Sequence, residues 1–170
     1  MTGGVLVAGI GNVFQTDDAF GVEVAVRLAT RELPPGVRVE DFGIRGVHLA
    51  YELLDGYDAL ILVDAVPMGD APGTLAVIEP ETSAGAAAKG AGVGSPAVDA
   101  HTMSPDVVLA TLERLGGSLE RIRIVGCQPA DLRDGMGLTP AVDATVDRAV
   151  DLCMELAADI VQFTGKGNPS

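Results

Sequence analysis

Hydrophobic positions along the chain change period repeatedly, and each change marks an element. "GVLVAGI" (Gly4–Ile10) is a continuous apolar run, the pattern of a strand covered on both faces. From Ala19 to Leu33 the spacing becomes helical through Phe20, Val24, Leu28 and Leu33, and Pro34-Pro35 closes the segment. Val37–Phe42 alternates as a second strand, and Val47–Leu54 reads as a short helix ended by "LLDGYD". "ALILVDA" (Ala59–Ala65) is the most apolar strand, again of the doubly covered kind. Thr74–Ile78 follows the turn "DAPG" and is expected to join the sheet edge as a hairpin.

The second half continues the alternation. Residues 83–97, "SAGAAAKGAGVGSPA", are low in complexity and rich in small side chains, so a mobile loop is expected over about 83–98. Ser104-Pro105-Asp106 offers an N-cap serine, an N1 proline and an early acid to the helix "VVLATLERL". "RIRIVGC" (Arg121–Cys127) is the last strand. Thr139-Pro140 opens a long closing helix from Ala141 to about Phe163, with residues 164–170 as a tail. The order predicts one domain over residues 1–170: a three-layer α/β/α fold with a twisted, mostly parallel sheet and one antiparallel edge strand. In such sheets ligands gather outside the carboxyl ends of the strands.

Composition narrows the partners. The chain has 170 residues and a net charge of −13, a field that repels a phosphate backbone and favours cations or basic polypeptide segments. Nucleic acid is therefore not expected. The first residues lack the basic region of a signal peptide, and no apolar run is long enough to span a membrane. Cys127 and Cys153 belong to no C-x-x-C pair and read as reduced thiols, which places the chain in the cytoplasm.

Three side chains with acid–base or metal chemistry fall where the rim should be. In "GIGNVFQTDDAFGV" (Gly9–Val22), two glycines leave the first strand and two aspartates precede the helix. Acids in a first turn complement the helix dipole, and Thr16 or Asp17 is placed to cap; the same pair is also a candidate for chemistry. A dinucleotide loop fits poorly, since the third glycine position of G-x-G-x-x-G is Phe14. Asp64 closes a buried strand, where a carboxylate must be hydrogen-bonded, paired or metal-bound. His48 lies on the polar face of its helix, whereas His101 sits in a loop just ahead of Ser104. Asp18 or Asp17, Asp64 and His101 together make an oxygen-and-nitrogen set suited to a borderline divalent cation. No G-x-S-x-G occurs, and "VGCQP" lacks the neighbours of a cysteine-protease motif, which argues against a covalent nucleophile.

These motifs resemble a known family. "GIGNVFQTDDAFGV" is similar to the G-x-G-N-x-x-x-x-D-[DE]-x-x-G opening of the nickel–iron hydrogenase maturation endopeptidases. "ILVDA" resembles their second motif, "DFGIRGVHLAYELLDGYD" the segment between, and "VGCQPADLRDGMGLTPAV" their C-terminal G-x-x-P…G-L-[ST]-P-x-V. The match runs from about Val5 to Val150, with departures at Ala19, Ile44 and Cys127-Gln128. The resemblance implies an endopeptidase that removes the C-terminal extension of a hydrogenase large-subunit precursor after nickel insertion. It places the family's metal-contacting acid on Asp18, the second acid on Asp64 and the histidine on His101. Asp17 then caps or supports the turn. Nickel would arrive in the substrate, and the enzyme is expected to be a monomer. Metal-assisted and aspartate-type (acid-protease) mechanisms both stay open, with Asp18 and Asp64 as the catalytic acids. The alternative from another class is a non-catalytic metal- or nucleotide-binding module, such as a nickel-handling chaperone.

Overall fold

The computed structural model describes residues 3–80 and 105–166. A five-stranded sheet carries the order β2-β1-β3-β5-β4, with β1 Val5–Ile10, β2 Val37–Gly43, β3 Ala59–Ala65, β4 Leu75–Ile78 and β5 Arg121–Cys127. The first four in that order run parallel, and β4 is antiparallel to β5. The expected edge strand is present, but it forms no hairpin with β3. β5 inserts between them because its apolar residues are nearly all buried, while β4 is only half covered and suits an edge.

Period-two alternation in the central strands feeds two cores. Val5, Val7, Ile61 and Val63 face the helices α1 (Phe20–Leu28) and α5 (Val146–Lys166), meeting Phe20, Val24, Val150 and Cys153. Leu6, Ile10, Leu60 and Leu62 face α2 (Gly46–Leu53) and α3 (Pro105–Arg114), meeting Leu49, Leu53, Val108 and Leu112. Asp64 is the polar member of that second face, one register step beyond Leu62.

The differences in element bounds have local causes. α1 stops at Leu28 rather than Leu33, since residues 29–32 are exposed and the Thr30 hydroxyl donates to the Arg27 carbonyl at 2.7 Å. At its other end a 3-10 turn, Thr16–Ala19, precedes α1. The closing helix is split into α4 (Pro140–Asp143) and α5. At the break Thr145 bonds the Val142 carbonyl with both its N–H (3.0 Å) and its hydroxyl (2.7 Å), tightening the turn. The 83–98 loop, His101 and the Ser104 cap lie outside the described residues.

The route of the chain makes a switch point. From β1 it crosses by α1 to β2 on one side, then returns by α2 to β3 on the other. The chain leaves β1 towards β2 and leaves β3 the other way, towards β4 and β5, opening a crevice at the carboxyl ends of β1 and β3. α1 can lie close over that crevice only because Gly21 has no side chain. A Cβ there would overlap the carbonyl oxygens of both Val63 and Ile10. Gly21→Ala is expected to lower stability by about 1–3 kcal/mol, read by chemical denaturation, by prising α1 from β1 and β3.

Candidate active site

Asp18 and Asp64 reach the crevice from its two sides. Asp64 comes on rails, as the sixth residue of β3, whereas Asp18 depends on a folded loop. Gly11, at φ +136, turns the chain so tightly that a Cβ would overlap the Asp18 carbonyl oxygen. Asn12 then braces the loop, its Oδ1 accepting from Phe14 N–H at 2.9 Å and its carbonyl from Gln15 N–H at 3.1 Å. Its own N–H donates to Asp18 Oδ2 at 2.8 Å, fixing that carboxylate. Gly11 N–H donates to the Gly43 carbonyl at 2.9 Å, tying the loop to the end of β2.

The two acids perturb one another. Burial raises the Asp18 carboxyl above its ordinary range, against a smaller opposing pull from Asn12 N–H. Burial also pushes Asp64 well above the usual carboxylate range, and the Asp18 charge pushes it further, against the Ala65 N–H. Among the described residues no arginine or lysine forms an ion pair with either acid. Two partly buried carboxylates without a counter-charge are costly as folded surface and favourable as a cation or proton site. Among the described residues no three metal-ligating side chains form a group, and the third expected ligand, His101, lies outside the described residues.

Asp17 plays a different part from the one its position suggests. It does not cap: the residue at the N-cap of the 3-10 turn is Gln15, and no side chain there bonds the turn. Its side chain points away from its own helix and is fully buried. Oδ2 accepts from Ala130 N–H (2.8 Å) and Asp131 N–H (3.0 Å), and Oδ1 from Thr139 N–H (2.8 Å). The Thr139 hydroxyl lies within 2.9 Å of both oxygens, so it serves Asp17 and forms no side-chain cap on α4. Burial alone would raise the Asp17 carboxyl; the three backbone donors and the hydroxyl outweigh it and hold it below its usual value.

Asp17 thereby clamps the 129–139 loop onto the turn that presents Asp18. The same seam includes Thr16 N–H to the Gly135 carbonyl (3.0 Å), Gly135 N–H to the Phe14 carbonyl (2.9 Å) and Thr16 Oγ1 to the Arg133 carbonyl (2.6 Å). These bonds hold Thr16 at φ +49, a strained conformation for a β-branched residue immediately before the two acids. Sequence reasoning missed the clamp because its partners lie more than 110 residues away.

Gln128 resolves the departure at the last strand. Its Oε1 accepts from Met68 N–H and, at 3.4 Å, from Asp70 N–H, while Nε2 donates to the Pro129 carbonyl at 3.2 Å. The side-chain amide thus pins the loop leaving Asp64. Cys127 and Cys153 are buried in the core; burial raises both thiols, Cys153 to about 12, which leaves them unreactive.

The fold and the site define a doubly wound α/β domain that carries a carboxylate pair at its switch point, as an acid–base or cation-handling protein would. The chain belongs to the hydrogenase maturation protease family, whose model matches residues 22–156, and members of this family are endopeptidases. It is 38% identical to the hydrogenase expression/formation protein HupD of Rhodobacter capsulatus, over 94% of this chain and 74% of that protein. It is 32% identical to the hydrogenase 2 maturation protease of Escherichia coli, over 86% of each. Among solved structures, the hydrogenase maturating endopeptidase HybD of Escherichia coli superposes with a TM-score of 0.72 at 28% identity, covering 92% of this chain and 93% of that one. The maturation protease HycI of Thermococcus kodakarensis gives 0.69 at 25% identity, covering 91% and 92%. Among the described residues no helix is long and apolar enough to cross a membrane.

Proposed function

We propose that this protein is the endopeptidase that removes the C-terminal extension from a nickel–iron hydrogenase large-subunit precursor, and that nickel carried by the precursor licenses the cut. The observation that supports this reading is the Asp18–Asp64 pair, partly buried at the switch point without a cationic partner among the described residues. Such a pair is a half-made coordination sphere. His101, outside the described residues, is the third ligand of the proposal. Thiolates of the precursor's own metal centre complete the set, so affinity for nickel is modest in the enzyme alone and strong in the complex.

In the reaction water adds across the scissile peptide bond. The ionised member of the pair takes the proton of the attacking water, and the amine leaves with a proton returned to it. Nickel serves as the recognition gate that seats the scissile bond beside these acids. The protein works as a monomer in the cytoplasm, where the precursor is assembled.

The test is dependence on the state of the precursor. Purified enzyme should carry little nickel, cut nickel-loaded precursor and ignore the same polypeptide without metal, with products followed by mass spectrometry. Chelating the enzyme beforehand should change little. Equal cutting of metal-free precursor by metal-free enzyme would remove nickel from the mechanism and leave an aspartate-only proteolysis. Tight retention of nickel by the enzyme alone, with no cutting, would instead support a nickel-handling module.

A further inference from the structure

Among the exposed large hydrophobic side chains of the described residues, Met136 (74%) and Phe14 (64%) are the most exposed, and the chain brings them together. They flank one pairing: Gln15 bridges Gly135 in parallel, and Gly135 N–H donates to the Phe14 carbonyl at 2.9 Å. Leu132, also exposed, rises from the same 129–139 loop. Isolated apolar residues on a surface are ordinary, but here the two most exposed of them share one bridge. That bridge lies a few residues from Asp18, on the segment the Asp17 clamp holds still. Neither side chain is needed for the core, yet both are presented on a fixed support.

We propose that Phe14 and Met136 form a docking surface for the precursor segment beside the scissile bond, taking up its apolar side chains. The inference rests on the endopeptidase reading above. The occupant follows from position and charge. A chain cut at Asp18 and Asp64 must pass over the neighbouring loop, and an exposed apolar pair there offers contact area for its side chains. The same loop carries Asp131, Arg133 and Asp134; Arg133 pairs with Asp131 at 2.9 Å, which leaves Asp134 as its unbalanced charge in a protein of net charge −13. The segment is therefore apolar and neutral or basic; an acidic one would be repelled.

Phe14→Ser, Met136→Ser and the double substitution test this, with Val26→Ser on the outer face of α1 as a control of similar exposure. Binding and cutting of nickel-loaded precursor are measured separately. The double variant should weaken precursor binding and raise KM by about tenfold or more, with kcat within about twofold. Its melting temperature should match that of the unsubstituted protein, and Val26→Ser should change nothing. Unchanged binding and KM in the double variant would overturn the docking surface while the unsubstituted enzyme still cuts, leaving the endopeptidase reading intact. An unsubstituted enzyme that neither binds nor cuts the precursor would overturn both. A dimer in sedimentation that the double substitution dissociates would overturn the proposal in favour of self-association through this patch.

Discussion

Asp17→Asn is expected to destabilise the protein by about 2–3 kcal/mol, and Asp17→Ala by about 3–5 kcal/mol, although neither touches the proposed reacting atoms. A capping aspartate would cost about 1 kcal/mol. The carboxylate uses both oxygens, with Oδ1 facing Thr139 N–H and Oδ2 facing Ala130 and Asp131 N–H. An asparagine has one oxygen, so in either orientation its NH2 group meets a backbone donor. Alanine strands all three donors in a buried place. The 129–139 loop should then part from the Asp18 turn, and processing should fall together with the melting temperature.

The pH dependence of that loss has a definite sign. The folded Asp17 carboxyl lies below its ordinary value, so its stabilisation is complete above about pH 4, near the unfolded value. It fades as the pH falls through the lower, folded one. The unsubstituted protein should therefore lose stability in acid more steeply than Asp17→Asn, which has already lost the contribution. Urea midpoints at a series of pH values measure it. Parallel curves would mean that Asp17 makes no charge-assisted contribution.

Asp64→Asn should abolish processing and at the same time make the protein more stable at neutral pH. Its folded carboxyl lies well above the ordinary range, so its ionisation opposes folding. The sign is opposite to that of Asp17: stability is full below about pH 4 and is lost as the pH rises from there through the folded value. Asparagine keeps the size and an acceptor for Ala65 N–H, and removes both the burial cost and the repulsion from Asp18. Each kcal/mol recovered should raise the melting temperature by about 2–4 °C for a chain of this length. Asp18→Asn should also abolish processing, with a gain of the same sign, since burial raises Asp18 too. Opposite movements of activity and stability mark a functional site. A fall in melting temperature for Asp64→Asn would instead make Asp64 a structural anchor of the loop amides. Full activity in Asp18→Asn with loss in Asp17→Asn would reverse the roles assigned to the two aspartates.

Much of the frame was legible along the chain. The runs Ala59–Ala65 and Arg121–Cys127 are strands at those bounds: the first is an apolar run that can be buried only on both faces of a central strand, and the second alternates arginine and isoleucine before an apolar end. Asp64 could be placed at the rim for the same reason, as the first polar residue after five buried ones. Gly11 and Gly21 were visible as glycines, though not which carbonyl oxygens required them. Thr139-Pro140 predicted a helix start correctly, since proline at N1 is a local signal; that the threonine hydroxyl would turn to Asp17 was not local.

What only the tertiary structure decided concerns partners distant in sequence. β4 pairs with β5 rather than forming a hairpin on β3, because competition for the central position depends on how fully each strand can be buried. The division of labour between adjacent aspartates was likewise undetermined. Both are acids in a first turn, and both satisfy the same helix-dipole rule. One is clamped by donors from residues 130, 131 and 139, and the other is left to face Asp64. Local sequence determines that two carboxylates stand at the end of β1. The folded chain decides which one is clamped by the donors of residues 130, 131 and 139 and which meets another negative charge, because those partners lie more than forty residues away.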